Sequence, residues 1–382
     1  MKKTILLYAF MAVGFLANAQ TIYEEFNSDK LEETRRIKIQ LPRNYDTNVD
    51  KVYPIIIVLD ADYLFEPVAG NVDYFSYWED MPESIIVGIM QARTRYEDCN
   101  YDEGNYLPAE KGANFFEFIG LELLPYIDTT YRTAKFVVGV GHDFTANFLN
   151  FYLYKNPPLF NGYISLSPEL SPNTAIRMAG RIPEIRSQVF YYLATGTDDI
   201  KDLREGTEAL NSKLKAIKSP TFNYYYDNFE GATHYSLVAR GIPNALEKMF
   251  SVYRPISVQE YKNVLLKLDT PISNYLIDKY NTISDLFGIN DPIRVNDYIA
   301  TTKAAEKRGQ WESLKVLAEM AKREYPETVL GPYYLARYYE EIGEPKKAMR
   351  IFQGAYDKEE VGFITLDLML DMADKIKQDF GY

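Results

Sequence analysis

The chain has 382 residues, 47% hydrophobic and 25% charged, the proportions of an ordinary globular protein with room for two or three domains and a sizeable core. Lys plus Arg number 42 against 54 Asp plus Glu, and a net charge of −12 excludes nucleic acid and anionic lipid surfaces as natural partners. The single cysteine, Cys99, excludes an internal disulfide, so the fold must rest on packing, and the 33 tyrosines suit amphipathic faces as well as interfaces.

The elements follow in chain order. Lys2 and Lys3, the apolar run 5–16 and Ala17-Asn18-Ala19 have the pattern of a cleaved export signal, with Gln20 as the first mature residue. Without Lys2 and Lys3 the balance is 40 against 54, or −14. No later run is long and apolar enough to span a membrane. Residues 33–41, "ETRRIKIQL", alternate and predict a half-buried strand. "YPIIIVLD" (53–60), "SIIVGIM" (84–90), "KFVVGV" (135–140), "LFNGYISLSP" (159–168), "QVFYYLATG" (188–196) and "TFNYYYDNF" (221–229) read as strands, most of them buried on both faces. Helical spacing covers 114–127, 206–218 and 238–250. Strands alternating with helices predict an α/β three-layer sandwich with a mostly parallel sheet over residues 20–255, after the signal at 1–19.

Past residue 255 the buried runs stop. A connecting segment, 256–295, leads to a small all-α region, 296–382. Gly309 and Gly343 lie 34 residues apart, as do Ala321 and Ala355, Ala318 and Phe352, and Leu314 and Ala348. That is the tetratricopeptide period, although two repeats are too few to be stable alone.

The chemistry centres on "GVGHDFTA", Gly139–Ala146, between an apolar strand and a helical segment. Strand, sharp turn and helix form the setting of a nucleophile elbow. Gly141 supplies the small residue on one side. Asp143 stands at the nucleophile position and Thr145 where a second glycine is expected, adding a branched Cβ to a tight turn.

Together with "LPRNYD", "YPIIIVLDADYLF", "PESIIVGI", "RTRYED", "LFNGYISLSPEL" and "GATHYSL", this stretch resembles the Putative esterase family of α/β-hydrolases, the group around esterase D, feruloyl esterases and enterobactin esterases. The resemblance implies an α/β-hydrolase fold and a Ser…acid…His triad. His234 matches the catalytic histidine, and Asp199, with Asp198 as the alternative, matches the acid. The amides of Ala61 or Asp62 and of Phe144 match the oxyanion donors, while Ser165 and Ser167 line the pocket. The nucleophile serine is replaced by Asp143.

A triad serine works because histidine takes its proton. A carboxylate has none to give and is expected to form an ion pair with His234, its pKa lowered. Three readings follow: a pseudoenzyme binding a ligand or a protein, a hydrolase with an Asp nucleophile like haloalkane dehalogenases and epoxide hydrolases, or an esterase working through another residue. The partners expected are a protein on the repeat region or pocket face and a small ester or sugar-derived ligand. The expected location is periplasmic, outer-membrane-associated or extracellular.

No cofactor is expected. His142 and His234 are the only histidines, and no motif points to zinc or nucleotide binding. His142 reads as a packing residue and the acidic "NYDEGN" (100–105) as a solvated loop. Arg93 and Arg95 are expected to pair with Glu97 or Asp98.

Overall fold

The computed structural model describes residues 21–382. The expected export signal, 1–19, lies outside the described residues. Eight strands form one sheet: β1 (Thr21–Ser28), β2 (Glu33–Gln40), β3 (Tyr53–Val58), β4 (Ile85–Ile89), β5 (Thr133–His142), β6 (Gly162–Leu166), β7 (Val189–Asp198) and β8 (Phe222–Thr233), in the order β1-β2-β4-β3-β5-β6-β7-β8. β1 pairs antiparallel with β2, and β2 with β4; every other neighbour is parallel. This is the α/β-hydrolase fold.

Burial explains which strands the sequence announces. β3, β4 and β6 are buried at every position, and a parallel strand covered on both faces requires such a run. β1, "TIYEEFNS", is an edge strand with most residues partly or fully exposed, so it lacks an apolar run and escapes detection.

The parallel strands run in one direction, so their C-terminal ends lie along one edge of the sheet. The turns after β3 to β8 therefore bring Asp60, Arg95, Asp143, Ser167, Asp199 and His234 to a common edge, where open α/β sheets bind ligands.

The chain divides into two compact units. The first comprises the chain up to Asp73, Glu83–Thr133 and Val137–Ala245; the second comprises Tyr74–Pro82, Ala134–Phe136 and Leu246–Tyr382. The core of the first includes Ile55, Ile57, Val87, Phe148, Tyr163 and Leu193. The second is helical from Leu246 onward and includes a helix at Ile272–Phe287, within the stretch read from the sequence as a connector. Its helices α1 (Val295–Lys307), α2 (Trp311–Glu324), α3 (Leu330–Glu341), α4 (Pro345–Gln353) and α5 (Leu366–Phe380) pack consecutively around Leu314, Ala318, Tyr334, Ala348 and Phe352. Gly309 (φ +64°) and Gly343 (φ +82°) each turn one helix into the next, so the 34-residue spacing is the spacing of two helical hairpins. No helix among the described residues is long and apolar enough to cross a membrane.

Candidate functional site at the strand-to-helix turn

β5 ends at His142, and a helix, Phe144–Leu153, begins one residue later. Asp143 makes the reversal alone, at φ 62° and ψ −119°, a backbone shape that costs a non-glycine residue about 1–3 kcal/mol. A Cβ on Gly141 would come within 2.7 Å of the Thr145 and Ala146 backbone, so only glycine lets the helix start so close to the strand. The Asp143 amide donates to the Leu166 carbonyl, 3.0 Å, and its carbonyl accepts from the amides of Asn147 and Glu169, both 3.2 Å.

The Asp143 carboxylate engages Arg95. Arg95 Nη1 donates to Asp143 Oδ2, 3.2 Å, while Nε donates to both oxygens of Asp60, 2.8 and 3.0 Å, and Nη2 to the His142 carbonyl, 3.0 Å. The expected partners are otherwise occupied, since Asp98 is bonded by Arg35 Nη1 and Nη2 and Glu97 pairs with Lys111. No hydrogen bond joins Asp143 to His234 among the described residues. The ion pair expected between them is replaced by the one with Arg95.

The expected fall in the Asp143 pKa is also reversed. Burial pushes its carboxyl above the ordinary range, and the Arg95 guanidinium, the His234 ring and the adjacent Phe144 amide do not fully offset this. Asp143 Oδ1 is buried with no donor in hydrogen-bonding geometry.

Thr145 is fully buried, and its hydroxyl makes three short contacts: Asp60 Oδ2 at 2.8 Å, the His142 carbonyl at 2.9 Å and the His142 amide at 3.0 Å. The branched residue that looked misplaced in the sequence ties the turn to Asp60. Burial likewise raises the Asp60 carboxyl, against Arg95, Thr145 and Tyr63.

His234 and Asp199 meet on the other side. Asp199 Oδ1 lies 2.9 Å from His234 Nδ1 and accepts from the Ile200 amide at 2.8 Å, while Asp199 Oδ2 accepts from Thr195 Oγ1 at 2.7 Å. Burial alone would raise the Asp199 carboxyl, but hydrogen bonds from His234, Ser167, Thr195 and Ile200 outweigh it and hold the pKa down at about 2. Asp198 is exposed, and among the described residues its carboxylate accepts only from the neighbouring Thr197 hydroxyl. Ser167, at φ 43°, places its hydroxyl 3.2 Å from His234 Nδ1, the nitrogen already facing Asp199. A nucleophile would need to reach Nε2, so Ser167 orients the pair and does not substitute for Asp143.

His142 does more than pack. Its ring lies 4.3 Å from that of His234, Nε2 donates to the His234 carbonyl, 3.1 Å, and Nδ1 meets the Tyr63 hydroxyl, 3.0 Å. Burial and the neighbouring His234 hold its pKa down at about 3, so it is neutral and its carbonyl-facing nitrogen carries the proton. Among the expected oxyanion donors, the Ala61 amide is committed to the Ile89 carbonyl, 3.0 Å. The Asp62 amide bonds no backbone acceptor among the described residues, and its carboxylate accepts from the amides of Gln91 and Ala92. Sequence reasoning missed Asp60, Tyr63 and Thr145 as site members. "LDADY" carries two of them in a short loop after a buried strand, which was the available signal.

The Putative esterase family model matches residues 28–237, more than half of the chain. The chain belongs to this family. A solved protein from Capnocytophaga ochracea, described only as uncharacterised, is 32% identical over 94% of this chain and 100% of its own, with a TM-score of 0.86. That alignment extends into the helical region. An IroE-like serine hydrolase from Shewanella oneidensis is 21% identical over 79% of this chain and 99% of its own (TM-score 0.58), and the BES protein from Bacillus cereus is 22% identical over 60% and 95% (TM-score 0.53). These two share the fold. No curated protein matches the sequence. The family assignment covers the sheet and its edge turns, so Asp60, Arg95, Asp143, Asp199 and His234 all fall within the matched span. Among the described residues no cluster of His, Cys, Asp and Glu could hold a metal ion.

Proposed function

We propose that this protein is an exported, catalytically silent member of the esterase family, whose elbow site binds a ligand and whose helical region binds a partner protein. One observation carries the reading: the Asp143 carboxylate is paired with Arg95 and makes no bond to His234. An esterase needs a proton-bearing nucleophile that His234 can activate, and a carboxylate held by a guanidinium is neither. Attack by Asp143 on an ester would also give an anhydride, a poor intermediate. The Asp143 carboxylate further lies against the Phe144 amide, where a substrate oxyanion would have to form.

In this reading Asp143, His234 and Asp199 hold the triad positions of a degenerate site, the Asp62 and Phe144 amides hold the oxyanion side, and Ser167 supports His234. The signal at 1–19 directs the chain out of the cytoplasm, residues 20–255 are the hydrolase-type domain, and the hairpins of 296–382 are tetratricopeptide-like. The test is to incubate the mature chain with short-chain aryl esters. No turnover above the uncatalysed rate is the expected result. Turnover that survives Asp143→Ala would show an esterase working through another residue.

A second reading has one observation in its favour: the His234–Asp199 pair is complete, with Nε2 free of any partner among the described residues. Such a pair could activate water against an alkyl ester of Asp143, as in an Asp-nucleophile hydrolase. Heavy oxygen from water entering Asp143 in a single turnover with a haloalkane or epoxide would establish it.

A further inference from the structure

The polarity of the groups left over at the turn points to the ligand. Most donors there are already committed. Arg95 has Nε on Asp60, Nη1 on Asp143 and Nη2 on the His142 carbonyl. The Thr145 hydroxyl lies between Asp60 and the His142 carbonyl, and the Ala61 amide is tied to Ile89. Asp199 fixes the tautomer of His234: the proton sits on Nδ1, facing the carboxylate, so Nε2 presents a lone pair. Nε2 has no partner among the described residues. The second open group is the Asp143 carboxylate, whose side chain keeps 14% of its surface exposed, although Oδ1 itself is buried without a donor. Both open side-chain groups are therefore acceptors.

A carbonyl or a carboxylate brings only acceptors: it can accept from the Asp62 amide, but it leaves both members of the pair without a donor, which buried polar groups tolerate poorly. An ammonium group brings donors, but at Asp143 it would stand beside the Arg95 guanidinium, which already neutralises that carboxylate at 3.2 Å. It could also accept nothing from the Asp62 amide, which has no acceptor among the described residues. A hydroxyl group both donates and accepts without adding charge. Aromatic side chains stand near: Tyr235, 79% exposed, packs edge-on to His234, and Tyr96, 71% exposed, packs edge-on to Phe144. Such rings offer flat apolar faces with polar tips.

We propose that the elbow site takes a neutral polyhydroxylated ligand, a sugar or polyol, with adjacent hydroxyls donating to Asp143 and to His234 Nε2, and that it rejects esters and carboxylates. This rests on the reading of the site as a binding site, and it reverses the preference that the family's chemistry would suggest.

The experiment uses the mature full chain and a fixed panel: methyl glucosides, methyl galactosides, methyl N-acetylglucosaminide, myo-inositol and glycerol as polyols, the fully acetylated methyl glucoside, acetate, and ethylammonium. Binding is read by calorimetry and by the imidazole nitrogen resonances, which are simple to assign with only two histidines in the chain. At least one polyol should bind and shift the Nε2 resonance of His234 but not its Nδ1, while the acetylated compound, acetate and ethylammonium should not. Asp143→Asn, which puts a donor in place of an acceptor and frees Arg95, should weaken the polyol about tenfold or more and allow acetate to bind. The wild-type nitrogen spectra keep the test decisive if that variant does not fold. Failure of every polyol, or stronger binding of acetate, the acetylated compound or ethylammonium, overturns the proposal and leaves the binding role standing. Hydrolysis of the acetylated compound overturns the binding role itself.

Discussion

Replacing Asp199 by asparagine removes a buried carboxylate that four donors hold in its charged form. The ordinary pKa of 3.8 falls to about 2 in the fold, and that difference corresponds to about 2–3 kcal/mol of stability at neutral pH. The group's folded pKa is depressed, so this stability is fully present above the unfolded value and is lost as pH falls through the folded one. The window is therefore roughly pH 4 to 2. The two tryptophans, Trp78 and Trp311, both belong to the second compact unit, so their fluorescence would not report on the site. Hydrogen exchange of peptides from β7 and β8 would. At pH 7, Asp199→Asn should speed their exchange by roughly 30- to 150-fold, the equivalent of about 2–3 kcal/mol. Near pH 2 the variant and the wild type should converge. A gap under about threefold at pH 7, or one of equal size at pH 7 and pH 2, would refute the claim that the hydrogen-bonded carboxylate anchors His234.

Other outcomes follow from the same geometry. Arg95→Ala leaves Asp60, with 3% of its side chain exposed, and Asp143 without their cation, and should cost about 3–5 kcal/mol by thermal or urea unfolding. Thr145→Gly should destabilise by about 1–3 kcal/mol through loss of the Asp60 bond, so in ester assays Asp143→Ser alone should show at least as much turnover as Asp143→Ser with Thr145→Gly. Gly141→Ala should cost about 1–3 kcal/mol, because its Cβ meets backbone at 2.7 Å and not a movable side chain. Gly343→Ala, at φ +82° with open space around it, should cost about 1 kcal/mol or slightly more in the helical unit, measured by Trp311 fluorescence, with no change in β7–β8 exchange.

Much of the architecture was legible because burial writes itself into composition. A parallel strand covered on both faces has to be apolar throughout, and β3, β4 and β6 are. The turn at Asp143 was legible for a related reason, since Gly141 must stay small wherever a helix begins this close to a strand. The 34-residue repeat marked two helical hairpins because each needs a glycine at the same point of its turn. β1 was not legible: at the edge of the sheet it buries too little to enforce a pattern.

The partners of the charged groups lay beyond the sequence. Arg95 sits three residues from Asp98, yet it bonds Asp60 and Asp143, 35 and 48 positions away. Thr145 read as an obstruction until Asp60 was found against its hydroxyl. Periodicity and composition record how much of each residue is buried, a local property of strand and helix. Which donor meets which acceptor depends on the sheet order that brings the ends of β3, β4, β5, β7 and β8 to one edge, and that order exists only in the folded chain.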